Sequence, residues 1–447
     1  MAQFLSLSTE NWNGYIIALA LITSYFFYQR ASKVRASFPP GPRGWTWPIL
    51  GNILDFNTDQ SRVHLQFSEW KSTYGDVVGL KVAGQSIIVL NSRSAVLELL
   101  GRRGAVYSDR PRIPFLRELM TGRTLLRFTL GNQTDQDREK IMEMADAFEE
   151  ATALGTSVVG THLVDLMPSL ASLPLALFGS KTKSAVLHLR ESAHNLLNNP
   201  YEMKQQDMEN SVSSDPSMFR LLLEQNKQID SSIKDEKSIK AVVIASYSAG
   251  VITGTETLKV FVLAMMRYPD VQQKAQALID AVIGSRGLPA LDDRSSLPYI
   301  EAILKETLRW KPVIPLAFPH RTTVDDVDKG YLIPKGSTIM PNSWQCLQDA
   351  GDYPDPENFL PERFCDSTGS ILLNDAPEPR QFTFGYGRRV CPGRNFAENI
   401  LWVNIATLLR TQDYLTHGRD YCFHKKLEPF ECLFVPRSED RLESALG

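Results

Sequence analysis

The chain holds 447 residues, enough for two or three ordinary domains or for one large one, so length alone does not divide it. A formal net charge of -3, from 48 basic and 51 acidic side chains, gives no bulk attraction for nucleic acid. Five cysteines without a C-x-x-C pair and seven scattered histidines without H-E-x-x-H offer no zinc spacing and suit a reducing compartment.

From the N-terminus, Trp12 to Tyr28 is mostly apolar and close to the ~20 residues that a bilayer span requires. Arg30, Lys33 and Arg35 follow it directly, whereas no Lys or Arg precedes it. By the positive-inside rule the bulk of the chain stays in the cytosol, and charges placed after the apolar run favour an uncleaved signal anchor over a cleaved secretory signal. Residues 1–29 are therefore expected to form an anchor that spans the membrane at about 12–28. Residues 30–44 form a basic, proline-rich hinge, because Pro39-Pro40-Gly41-Pro42 cannot continue a helix and makes a stiff extended spacer.

Val77 to Leu90, with Gly79 and Gly84 among Val, Leu and Ile, predicts two short strands, and Ser94 to Leu100 predicts a helix before the loop Tyr107-Ser108-Asp109-Arg110-Pro111. Asp135 to Glu236 reads as several helices joined by polar loops and carries no chemical motif. Lys237 to Tyr268 is the longest helical pattern, and Pro269 stops it. Within it, Gly250 and Gly254 cost roughly 1 kcal/mol each relative to alanine, which suggests a groove or the close approach of another group. Thr253 either places a hydroxyl in that groove or bonds back to the Ala249 carbonyl as an ordinary helix threonine. Glu256 is read as pointing away from the direction of Ile252.

Leu297 to Trp310 predicts another helix, on which Glu306 and Arg309 share a face. An extended segment, Pro312 to Pro319, leads to His320-Arg321, a hairpin-like Tyr331 to Gly336, and Pro361-Glu362-Arg363-Phe364. Next comes Phe384-Gly385-Tyr386-Gly387-Arg388-Arg389-Val390-Cys391-Pro392-Gly393, too glycine-rich for a helix and without strand alternation. It reads as a rigid loop that presents a thiol. Each position has a reason if the Cys391 thiolate is an axial ligand to a haem iron: glycines let the backbone approach a flat macrocycle, and Arg389 neutralises a propionate. Pro392 and Gly393 can open the next helix, Asn395 to Leu409, with Phe396, Ile400, Val403 and Leu408 on its apolar stripe. Phe423 to Arg437 predicts short strands.

Phe384, Gly387, Arg389, Cys391 and Gly393 fit the pattern Phe-x-x-Gly-x-Arg-x-Cys-x-Gly at every fixed position, and here the chain resembles the cytochrome P450 family, in its fungal, basidiomycete, microsomal form. The resemblance runs from the anchor and hinge to the final strands. It implies a mainly α fold with a small β subdomain behind an N-terminal transmembrane anchor, and a haem-thiolate catalytic domain over 45–447. It implies haem b on Cys391, further contacts to the haem from Arg321, proton delivery by Thr253, and a structural triad of Glu306, Arg309 and Arg363. The implied activity is monooxygenation of a lipophilic small molecule in fungal secondary metabolism with dioxygen and electrons from NADPH. No G-x-G-x-x-G fingerprint is present, so electrons would come from a separate NADPH-cytochrome P450 reductase. The implied location is the endoplasmic reticulum membrane, single-pass, with the catalytic domain in the cytosol.

The chain departs from the family pattern in two places. Ile252 stands where the acid of the oxygen-binding motif is expected, and no tryptophan occurs between Trp70 and Trp310, where a Trp-x-x-x-Arg helix should hold a propionate. A block after Met120 is thus read as missing. A haem-thiolate isomerase or dehydratase needing no reductase, a catalytically impaired haem-binding relic, and a soluble helical interaction module are the alternatives.

Overall fold

The computed structural model describes residues 37–42, 51–56, 62–82, 84–111, 218–226, 236–366, 376–416 and 432–437, with scattered helical positions between 184 and 202. Helix α1 (Val63–Tyr74) leads into the hairpin β1 (Val77–Val82) and β2 (Gln85–Leu90), paired antiparallel with Val77 opposite Leu90. Gly84 makes the turn at φ +82, a conformation open to glycine. Then come α2 (Arg93–Val96), capped by the Ser92 side chain, a single π-helical segment Leu97–Arg102, and α3 (Gly104–Tyr107).

After α4 (Met218–Asn226) the chain enters α5 (Glu236–Arg267), a helix of 32 residues. Pro269 ends it and also begins α6 (Pro269–Ile283), where its missing N–H costs nothing. Helix α7 (Pro298–Trp310) is buried from Tyr299 to Trp310. Its polar members are tolerated there because each is paired: Glu301 with Arg294 at 2.7 Å, Lys305 with Glu378 at 2.9 Å, and Glu306 with Arg309 at 2.7 Å.

The strands β3 (His320–Arg321), β4 (Asp326–Asp328), β5 (Tyr331–Ile333) and β6 (Thr338–Pro341) follow. The main sheet has the order β1-β2-β6-β3, with β6 parallel to β2, while β4 and β5 form their own hairpin. The hairpin expected at Tyr331 to Gly336 therefore pairs its first strand upstream, at Asp326–Asp328. Short α8 (Ser343–Leu347) and α9 (Arg380–Thr383) precede α10 (Arg394–Thr411), which runs into β7 (Gln412–Thr416), paired with β8 (Cys432–Pro436). One large apolar cluster joins α5, α6, α7 and α10 to the β1–β2 hairpin.

The expectation of a mainly helical fold with a small β subdomain agrees with this architecture. The expected anchor, the basic part of the hinge and the block around Met120 lie outside the described residues. Among the described residues, no helix is long and apolar enough to cross a membrane. The proline segment is more than a spacer. Pro40 O accepts from Gly79 N at 2.9 Å, Ser37 O accepts from Leu332 N at 2.9 Å, and Lys81 Nζ lies 4.4 Å from the Phe38 ring centre. This close docking needs Gly79 to lack a side chain, since a Cβ there would lie 2.6 Å from the Phe38 ring.

Candidate active site

The thiol of Cys391 is held by backbone rather than by side chains. Cys391 N donates to Phe384 O at 2.7 Å, Arg389 N to Tyr386 O at 3.0 Å and Val390 N to Gly387 O at 3.3 Å, closing the segment into a tight loop. Gly385 and Gly387 take φ +79 and +53, and a Cβ on Gly387 would collide with the Leu100 carbonyl of the π segment. Glycine is thus required at Gly387 by packing as well as by dihedral angle. Tyr386, wholly buried, pins the loop from below by sharing a 2.5 Å hydrogen bond with Ser343, whose hydroxyl also donates to Phe382 O. Cys391 itself is half-buried, and a Cβ on Gly393 would sit 3.9 Å from its sulfur.

Two local expectations need correction. The following helix begins at Arg394 with Gly393 as its N-cap, so Pro392 stands before the first turn instead of opening it. The buried face of α10 carries Leu401, Trp402, Ile405, Ala406 and Leu409, whereas Phe396 is 70% exposed and Ile400 is also exposed. Of the expected stripe, Val403 and Leu408 pack against the core, whereas Phe396 and Ile400 do not. With Val390, also exposed, Phe396 and Ile400 leave apolar surface near the thiol in the chain.

Cations gather from three distant segments. Arg389 Nε donates to Ser108 O at 2.8 Å, and Arg110 Nη1 donates to Phe318 O at 2.9 Å and Pro319 O at 2.7 Å. Arg321 bridges Asp109 through a backbone bond of 2.8 Å and a loose ion pair of 3.8 Å. Arg110 lies close enough to Arg389 that this second positive charge, after burial, pulls its pKa down. His320 Nδ1 donates to Tyr107 O at 2.8 Å, and burial, with smaller contributions from Arg110 and Arg389, depresses its pKa to about 4. Arg389 and Arg321 are expected here from the sequence, whereas Arg110 and His320 are not. Both stood in segments read only as a loop and a strand end, and no local spacing connects residues brought together across more than two hundred positions.

His320 makes a measurable pH term. Its folded pKa lies below the ordinary 6.5, so it is neutral when folded and the unfolded chain takes up the proton first. The stabilisation is complete above about pH 6.5 and is lost as pH falls through that value toward 4, a change on the order of 3 kcal/mol. An anion bound beside Arg110 and Arg389 would lessen it. Denaturant titrations from pH 7 to 4, with and without haem, should show the steeper loss in the haem-free protein, and the slope should flatten in a His320→Gln variant.

Glu306, Arg309 and Arg363 meet as one buried group. Arg309 holds Glu306 through Nε at 2.7 Å and Nη2 at 2.8 Å, and Arg363 Nε reaches it at 3.2 Å. Arg309 also donates to Leu347 O at 3.0 Å and Asn358 O at 3.1 Å, and Leu360 N donates to Glu306 at 2.8 Å. The triad therefore ties α7 to the segment that leads toward the Cys391 loop.

On α5, the Thr253 hydroxyl donates to Ala249 O at 2.5 Å, the ordinary helix bond. A hydroxyl has one donor and two acceptor positions, so this bond leaves the Thr253 oxygen able to accept. Beside it, Cβ atoms on Gly250 or Gly254 would meet nothing within 4 Å among the described residues, so among these the face of the helix borders open space. Glu256 contradicts its expectation. Residues four apart on a helix share a face, so Glu256 lies in the direction of Ile252, and it is buried and paired with Lys259 at 2.7 Å.

These residues fit a haem. A half-buried thiol ends a loop whose glycines let it pack tightly, apolar side chains flank it, and Arg110, Arg389 and Arg321 could answer two propionates with Asp109 as the acid paired among them. Among the described residues there is no His, Cys, Asp and Glu cluster that could hold a bare metal ion instead.

The cytochrome P450 family model matches residues 39–154 and 127–430 of the chain. A cytochrome P450 monooxygenase of Postia placenta is 32% identical over 501 aligned positions, covering 95% of this chain and 95% of its own. Similar proteins of the same description occur in Armillaria gallica, 32% identical with 96% of each chain covered, and in Coprinopsis cinerea, 31% identical with 83% and 82% covered. The Postia alignment is longer than this chain of 447 residues, so the relative has residues at dozens of positions where this chain has none. A missing block was expected after Met120, and the two family matches overlap just beyond it, at 127–154, outside the described residues. With the matched span, the Cys391 loop and the converging cations in agreement, the chain belongs to the cytochrome P450 family, whose members carry haem on a cysteine thiolate.

Proposed function

We propose that the protein is a membrane-anchored haem monooxygenase that inserts oxygen into a lipophilic small molecule in fungal secondary metabolism, with electrons passed from NADPH by a separate reductase. The observation that carries this reading is the Cys391 loop set against the arginine cluster, because it pairs a thiol with a cationic rim suited to one dianionic macrocycle. Haem held by Cys391 would supply a dioxygen-activating iron whose thiolate ligand favours O–O cleavage. The chain supplies the rest. Arg389, Arg110 and Arg321 would neutralise the propionates, and the loop backbone fixes the sulfur. Thr253, on the helix face that borders open space, is the hydroxyl proposed to hand on protons.

The proposed anchor is residues 12–28, which would place the protein on the endoplasmic reticulum membrane with its catalytic domain in the cytosol. The Ser37 to Gly41 segment docks against β1 and β5, so the chain would leave the domain at a fixed edge of the sheet.

A second reading is favoured by Ile252: a haem-thiolate isomerase or dehydratase has no need of a motif acid there. Turnover of lipophilic probe substrates with and without NADPH and a fungal reductase separates the two. The monooxygenase reading expects oxygenated product only with both electron sources present, and product formed without them would overturn it.

A further inference from the structure

We propose that Glu256 is a proton-donating residue of this chain, acting from one helical turn beyond the position where the family's acid is replaced by Ile252; this rests on the monooxygenase reading above. Glu256 and Thr253 are three residues apart on α5, so their side chains are neighbours on one face. Helical side chains lean toward the N-terminus, so the carboxylate of Glu256 lies over the turn that carries Ile252 and Thr253. The acid that the sequence lacks at Ile252 is thus returned to the same stretch of helix surface.

The surroundings fit a relay more closely than a surface ion pair. The Glu256 side chain is 12% exposed while that of its partner Lys259 is 47% exposed, and the two meet at 2.7 Å. Lys259 therefore joins a buried carboxylate to solvent. The Thr253 hydroxyl spends its proton on Ala249 O and keeps oxygen lone pairs free, so it can accept from Glu256. Thr257, one turn on, donates to Thr253 O at 2.7 Å and leaves the Thr253 hydroxyl untouched. In the step proposed, the Lys259 ammonium first passes a proton to the Glu256 carboxylate it pairs with, and the carboxyl O–H so formed then breaks as a new O–H forms on the Thr253 oxygen. Thr253 gives up its bond to Ala249 O as its hydroxyl turns and releases its own proton toward the face beside Gly250 and Gly254. Lys259, the exposed partner, regains its proton from solvent water and the ion pair is restored, so protons balance and no electrons move. The sequence shows no other acid between Lys240 and Lys259 on this helix.

The test uses the haem-loaded full chain with reductase, comparing Glu256→Gln, Glu256→Asp, Lys259→Met and Thr253→Ala. Glu256→Gln is expected to lower the fraction of NADPH electrons recovered in product by at least about tenfold, with the remainder appearing as hydrogen peroxide. It should keep the thiolate-type carbon monoxide band, and Glu256→Asp should recover most of the loss. An infrared difference spectrum across a pH titration supplies a readout independent of turnover: a carboxyl band absent in Glu256→Gln and displaced in Lys259→Met. If Glu256→Gln couples as well as wild type while Thr253→Ala uncouples, the Glu256 role is overturned and the monooxygenase reading stands. If Glu256→Gln loses the carbon monoxide band, Glu256 is structural and the proposal fails. If wild type makes product without NADPH, the function itself fails.

Discussion

Replacing Cys391 by serine is expected to abolish oxygenated product and the thiolate-type band of the reduced carbon monoxide complex, while leaving the chain folded. The second half of that expectation comes from the loop geometry. Cys391 is positioned by its amide, which donates to Phe384 O at 2.7 Å, and by the Tyr386 anchor beneath it, and its sulfur makes none of those bonds. Serine preserves every one of them, and the change at a half-buried site should fall within about 1 kcal/mol. The electron donation that a thiolate brings to iron is lost with the sulfur. Product formation should fall by three orders of magnitude or more, roughly the span that separates an enzyme from a binding pocket without its reactive group. Absorbance spectra and thermal unfolding of the same preparation decide the matter. A serine variant that kept the band would remove Cys391 from the haem, and one that failed to fold would show that the sulfur is a packing element.

What could be read from the sequence was what leaves a local trace. The thiol loop did, because five fixed residues crowd into ten positions, and so did α5, whose apolar run ends at Pro269. The β1–β2 hairpin was legible from β-branched residues around Gly84. The parallel pairing of β2 with β6 was not, since strands some 250 positions apart share no signal. Arg110 escaped for the same reason: its meaning comes from Arg389 and from the carbonyls of Phe318 and Pro319, none of them near it in the chain. Helix α10 failed differently. Its expected stripe meets the core at Val403 and Leu408 but not at Phe396 and Ile400, and periodicity cannot say which members of a stripe face a core and which a cofactor or solvent. For Glu256 the sequence already holds the information, because four residues of helix return nearly to the starting direction.

Glu306 is the other position where one substitution should have a large effect, here on folding rather than on chemistry. In sequence, Glu-x-x-Arg is commonplace, and an exposed pair of this spacing is worth only a few tenths of a kcal/mol. Burial changes the sign of the argument. The Glu306 and Arg309 side chains are 0% exposed and that of Arg363 is 8% exposed, so Glu306→Ala would strand two guanidinium groups in the core and also orphan the amide of Leu360. Breaking a buried pair costs about 3–5 kcal/mol, against a total stability of about 5–15 kcal/mol for a native domain. Glu306→Ala is therefore expected to yield little folded, haem-loaded protein, and denaturant titration of what survives should show that loss. Replacing Glu306, Arg309 and Arg363 together by leucine should recover only part of it. The triple variant removes the stranded charges, but the carbonyls of Leu347, Asn358 and Pro354 lose the donors that Arg309 and Arg363 provide. Full recovery would mean that the triad's hydrogen bonds to those carbonyls carry no weight. No loss in Glu306→Ala would mean that water or a rearranged arginine meets the charge, and that the triad does not hold α7 to the segment preceding the Cys391 loop.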